Sequence, residues 1–149
     1  MKISHELPLS LMHYSYEWND IDYCLPHLID KYTQYRLYFQ KARLDKRFII
    51  CDNGLFEGEI HTNKDLLSKI KLINPNIFIV PDAWNDSTTT IRSAKHWIYN
   101  YKPNLPEGVE LMAVCQGKDL NELLTTYQTS VSYTHLRAHE TGRNLVCRL

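Results

Sequence analysis

The sequence of 149 residues has no excess of charge, with 17 Lys plus Arg against 17 Asp plus Glu. No basic field is therefore present to hold a nucleic acid by counterion release, and such a partner would have to be engaged by a local patch. No apolar run approaches the roughly 18 residues of a membrane span. The start, MKISHELPLSLMHYSYEW, has no long apolar core before a small-residue cleavage site, so the chain reads as cytoplasmic with no membrane partner. The four cysteines, Cys24, Cys51, Cys115 and Cys147, form no C-x-x-C pair. Neither a zinc knuckle nor a disulfide framework is indicated, and reduced, mostly buried thiols are the expectation. His13, His27, His61 and His96 include no H-x-H or H-E-x-x-H spacing, and no G-x-S-x-G, Walker loop or G-x-G-x-x-G occurs.

What remains suits one ordinary soluble domain, at 44% hydrophobic and 23% charged. Residues 131–149, VSYTHLRAHETGRNLVCRL, stand apart and read as translated sequencing adapter. One frame of a widely used transposase-adapter end encodes Val131 to Glu140 and begins the Thr141 codon. A short variable index then covers Gly142, Arg143 and the start of Asn144, and the fixed primer after it gives Leu145 to Leu149. On this reading the natural stop codon is lost, the natural protein is expected to continue beyond Ser130, and 131–149 is a non-native tail without selected structure. Residues 1–130 then carry 14 basic and 16 acidic side chains, and His135, His139 and Cys147 drop out as candidate ligands.

The periodicities of residues 1–130 predict alternating strands and helices. Leu7 to Met12 reads as a first strand, Ile21 to Leu28 as a weaker one interrupted by Pro26, and Ile29 to about Lys46 as a helix with Leu37, Tyr38, Lys41 and Leu44 at helical spacing. Phe48 to Cys51, Ile77 to Val80 and Val109 to Val114 are apolar runs suited to strands buried on both faces. Thr62 with Asp65, and Asp119 with Glu122, resemble capping boxes for helices that carry Leu66, Leu67, Ile70 and Ile73, and Leu120, Leu123, Leu124 and Tyr127. Between them, Asp86 to about Tyr101 places Ile91, Ala94, Ile98 and Tyr101 on one stripe. Continuous apolar strands alternating with helices imply a parallel sheet, in either a doubly wound fold or a (β/α)8 barrel.

Each clear strand ends on a polar residue: Asp52 before Asn53 and Gly54, Asp82 after Pro81, and Gln116 before Gly117. In α/β folds the carboxyl ends of parallel strands face one crevice, so Asp52, Asp82 and Gln116 are expected to surround one small ligand. Two carboxylates in one site also tend to split their protonation into an acid and a base. The plainer alternative is that both aspartates cap turns and helices. Trp84, close to Asp82, fits a packed aromatic better than a platform for a planar ligand. Tyr32, Tyr35 and Tyr38 fit a packing or partner surface.

At these residues the chain resembles the tRNA-guanine transglycosylase superfamily, including its phage relatives that place 7-deazaguanines in DNA. Phe48 to Glu57, FIICDNGLFE, is similar to the family's apolar strand followed by D-S-G-G-F/Y-Q; Asp52, Gly54 and Phe56 match, while Asn53, Leu55 and Glu57 depart. Ile79 to Asp82, IVPD, is similar to the strand bearing the base-recognising Asp, and Met112 to Gly117, MAVCQG, to the G-I-V-Q-G segment. The resemblance implies that residues 1–130 are the first part of a (β/α)8 barrel that replaces guanine with a 7-deazaguanine in tRNA or DNA. It implies Asp52 as general acid/base, Asp82 on the purine edge, Gln116 and Gly117 on the base's carbonyl and ring face, and Asn53 and Gly54 among the substrate contacts.

The family's nucleophilic Asp, which forms a covalent ribosyl intermediate, and its structural zinc site of three Cys and one His are implied in later segments. The 149-residue chain is accordingly expected to be inactive in exchange, to hold no cofactor of its own, and to expose an apolar sheet edge prone to aggregation. Two other readings compete: a metal-assisted hydrolase barrel with His27, Asp52 and Asp82 as ligands, and a non-catalytic nucleobase-binding module.

Overall fold

The structure, a computed structural model, describes residues 2–134 and 146–148. Ile21–Cys24 (β1), Phe48–Cys51 (β2), Ile77–Ile79 (β3) and Glu110–Val114 (β4) form a four-strand parallel sheet in chain order that alternates with helices. Chain contacts divide the molecule into two units, Met1–Phe78 with Pro106–Val109, and Ile79–Leu105 with Glu110–Leu149.

In the first unit, β1 runs beside β2 with Ile21 opposite Phe48 and Cys24 opposite Cys51, and β2 runs beside β3 with Ile50 opposite Ile77. The connections carry α2 (Pro26–Lys31), α3 (Thr33–Leu44) and α4 (Asn63–Ile73), after a 3-10 turn at Leu9–Tyr14 and the short α1 (Ser15–Trp18). Cys24, Ile49, Cys51, Ile77 and Phe78 of the strands are buried, as are Ile29, Tyr35, Phe39, Leu66, Ile70 and Ile73 of the helices. Each such large apolar side chain contributes about 1.5–3 kcal/mol when withdrawn from water. At α4 the N-cap half of the expected box is present, with Thr62 Oγ1 accepting from the Asp65 amide at 3.1 Å, while the Asp65 carboxylate turns to His61 and Lys69.

Two expectations for this unit are overturned. Leu7 to Met12 is no strand: Pro8 is extended and Leu9–Tyr14 coils as a 3-10 helix in which Met12 alone is buried. A run whose other apolar side chains stay outside gains nothing from a sheet position buried on both faces. The single helix expected over Ile29 to Lys46 is two, because Tyr32 is extended between α2 and α3. That break turns Tyr35, Phe39 and Ala42 inward and leaves the anticipated stripe residues Leu37 and Leu44 exposed. Tyr35 is fixed there by its hydroxyl, which accepts from the Leu25 amide at 2.7 Å.

In the second unit, α5 (Ser87–Asn100) follows the Asp86 cap, whose side chain accepts from the Thr89 amide. The Val80 amide donates to the Met112 carbonyl of β4 at 2.9 Å. The last helix, α6 (Leu120–Thr134), starts with the anticipated box: Asp119 accepts from the Glu122 amide, and Glu122 from the Lys118 amide. Among its described side chains Thr126 and Ser130 are buried, whereas Leu120 and Leu124, expected inside, are exposed. Residues 131–134 complete α6, and Val146–Arg148 (β5) pairs antiparallel with β4. That direction is opposite to the one a following barrel strand takes. The remaining tail, 135–145 and Leu149, lies outside the described residues.

Candidate functional site

In the second unit the turns after β3 and β4 bring two of the anticipated site residues together. Gln116 Nε2 donates to Asp82 Oδ2 at 2.6 Å. Gln116 is held from three directions: its carbonyl accepts from Thr126 Oγ1 at 2.7 Å, its Oε1 faces the Asn85 amide at 3.4 Å, and its neighbour Gly117 lies against the first turn of α6. The 82–86 turn is fastened in turn by Thr90, whose hydroxyl accepts from the Ala83 amide at 2.9 Å and donates to the Ala83 carbonyl at 3.2 Å. Neither Asp82 nor Gln116 is fully buried. A carboxylate that only accepts, beside an amide that both donates and accepts, complements a ligand edge presenting N–H groups next to a carbonyl.

Asp52 belongs to the first unit, just beyond β2, where its amide donates to the Cys24 carbonyl at 2.9 Å. The Tyr23 hydroxyl is held well above its ordinary range by burial first and then by the Asp52 carboxylate, to which it hydrogen-bonds. Asn53 is buried and its Oδ1 accepts from the Leu55 amide at 2.8 Å, an Asx turn that aims the chain back from the strand. Gly54 takes φ +80°, and a side chain there would meet the His61 ring at 3.3 Å and Pro26 at 3.4 Å. Beyond it, Leu55, Phe56 and Ile60 are exposed.

His61, which the sequence offered only as one of four histidines without metal-ligand spacing, joins this group. Its Nδ1 lies 2.9 Å from Asp65 Oδ2, so the carboxylate orients the ring, while the buried Nε2 has no hydrogen-bond partner. Lys69, only 4% exposed, joins Asp65 at 2.5 Å and Asp30 at 2.9 Å. Burial works to raise the Asp65 carboxyl, but Lys69 and His61 outweigh it and leave the group below its usual range. Burial likewise opposes the Lys69 ammonium, and Asp65 with Asp30 holds it above its usual value. The available signal was Asp65 and Lys69 one turn apart on α4, with His61 just ahead of its Thr62 cap. Tyr23 offered none, because its meeting with Asp52 depends on strand pairing. His27, a proposed metal ligand, has its buried Nδ1 unpartnered.

A third polar cluster is built into the core of the first unit. Asp22 accepts from Ser15 Oγ at 2.7 Å, from Tyr38 at 2.9 Å and from Arg47 on both oxygens. The cavity beside it measures about 20 Å³, room for about one water molecule and far too small for a heterocycle. This cluster is architecture, and it shows how Tyr35 and Tyr38 serve packing.

Among the described residues no group of three or more His, Cys, Asp or Glu side chains could hold a metal ion, so none is assigned to the zinc that the resemblance implies. Among the same residues no helix is long and apolar enough to cross a membrane. No family model and no curated protein matches the chain.

Proposed function

We propose that this chain carries the base-recognising part of a base-exchanging transglycosylase, a (β/α)8 enzyme that replaces guanine with a 7-deazaguanine in tRNA or DNA. The observation that supports the reading best is the 2.6 Å contact between Asp82 and Gln116, polar residues that follow two separate strands. Their combined pattern suits the guanine edge, where N1–H and the 2-amino group donate and the carbonyl accepts. Gly117 leaves the Gln116 backbone free to lie close to the helix behind it. Asp52, beside Tyr23 and on the motif that resembles the family's, is assigned the role of general acid/base.

On this reading the residues assigned here, Asp82 and Gln116, bind the base, and no residue of this chain is assigned the role of nucleophile or zinc ligand. The test is titration of the chain with guanine, 7-deazaguanine and adenine by calorimetry, beside an exchange assay with labelled guanine on tRNA and on duplex DNA. Guanine binding that disappears in Asp82→Asn supports the reading. Absence of any binding, or exchange by the chain alone, counts against it.

A further inference from the structure

We propose that Trp84 is the stacking platform for the base whose edge Asp82 and Gln116 read, an inference that rests on the base-binding reading above. Two residues beyond Asp82, Trp84 is 68% exposed. The expectation of a packed aromatic is thus overturned: the indole leaves most of its apolar surface open to a planar ligand.

Its position relative to the polar pair is set by the backbone on both sides. Ala83, immediately before it, is clamped to Thr90. Asn85, immediately after it, adopts a left-handed conformation at φ +54° and turns its amide toward Gln116 Oε1 at 3.4 Å. Trp84 is therefore carried on a short turn tied at one end to the body of α5 and at the other to the amide that reads the ligand. The left-handed Asn85 is a conformation that Asn adopts more readily than most residues. A hydrogen-bonding edge and an adjacent aromatic face are the two elements that hold a flat heterocycle. The edge supplies selectivity, and stacking supplies affinity that is tolerant of which base is bound, since every base has a π face.

The two roles separate in an experiment on the whole chain, with guanine and adenine as probes. Calorimetric affinities are measured for the unaltered protein, Trp84→Ala, Trp84→Phe and Asp82→Asn, and tryptophan emission is followed through each titration. The expected result is a loss of about 10- to 100-fold in guanine affinity for Trp84→Ala, with most of it recovered in Trp84→Phe. The preference for guanine over adenine should stay unchanged in Trp84→Ala and collapse in Asp82→Asn. Guanine should also quench an emission component that Trp84→Phe lacks, leaving Trp18 and Trp97 unaffected. Guanine binding that is equally tight in Trp84→Ala, or a changed base preference in that variant, overturns the platform while leaving the base site standing. If the unaltered chain binds neither base, the base-binding reading falls and the platform falls with it. Because Trp84 is exposed, its replacement leaves the core intact, and a thermal melt matching that of the unaltered chain confirms this for each variant.

Discussion

Arg47 grips Asp22 with two nitrogens, Nε to Oδ2 at 2.5 Å and Nη2 to Oδ1 at 3.1 Å, and Nη2 also donates to the Asn19 carbonyl at 2.7 Å and the Ser15 carbonyl at 3.3 Å. The carboxylate is 1% exposed. Removing one partner of a buried pair strands the other charge in a poorly solvated place, which costs about 3–5 kcal/mol. Arg47→Met should therefore lower the urea midpoint sharply with an unchanged slope. Asp22→Asn combined with Arg47→Met should recover part of the loss, because no buried charge is left alone. A single Arg47→Met variant as stable as the parent would show that the pair is solvated and structurally idle.

How much of this was legible in the sequence follows from what each feature depends on. Phe48 to Cys51 and the Thr62 cap were readable because both depend on neighbours a few residues away. Leu37 and Leu44 misled, because their helical spacing is real but the break at Tyr32 rotates Tyr35 and Phe39 inward instead. Asp82 and Gln116 were found through the rule that strand ends converge, while Asp22, an acid within an apolar run, was overlooked. Its partner Arg47 lies 25 residues away and is brought to it by the β1–β2 pairing, information that no local pattern carries.

The ion cluster on α4 gives the chain an acid-sensitive component. Asp65 titrates below its usual range when folded, so the unfolded chain takes up its proton first as pH falls. The stabilisation is complete above the unfolded value near 4 and is lost as pH drops through the lower folded value. Its size is modest because the Asp65 side chain is 39% exposed. Urea midpoints measured from pH 6 to pH 2 should fall less steeply for Asp65→Asn than for the unaltered chain. Parallel curves would show that the Asp65 interactions contribute no pH dependence.

Cys24 and Cys51 stand opposite one another on β1 and β2, both fully buried and both reduced. Burial pushes the Cys24 thiol well above its usual value, and the neighbouring Cys51 adds to the effect. The thiolate is the reactive form, so Cys24 should resist iodoacetamide in the folded chain; Cys51 is shielded by its burial, and both react only as fast as the chain opens. Cys115 is half-buried on the turn after β4 and should be labelled earlier. Peptide mapping after timed labelling checks the order, and early modification at Cys24 would mean that the β1–β2 pairing opens readily.

Gly108 and Gly117 separate two reasons for lacking a side chain, and with them the tightness of the turn that carries Gln116. Gly108 has φ +81° with nothing within 4 Å of the place a Cβ would occupy. Alanine there meets only the left-handed backbone penalty of about 1–2 kcal/mol. Gly117 carries no such strain, but a Cβ would sit 2.5 Å from the Leu123 amide nitrogen and 2.8 Å from Glu122. Those atoms are the first turn of α6 and cannot yield singly, so the helix start or the Gln116 backbone must shift. Because the Gln116 carbonyl is also bonded to Thr126, a shift at Gly117 is transmitted to the amide that donates to Asp82. Gly117→Ala should thus destabilise the chain by about 1–3 kcal/mol and move the Gln116 side-chain amide resonances in an NMR spectrum, whereas Gly108→Ala leaves those resonances in place. If both variants leave them unmoved, α6 accommodates the methyl group on its own and Gly117 has no part in holding the Asp82–Gln116 pair.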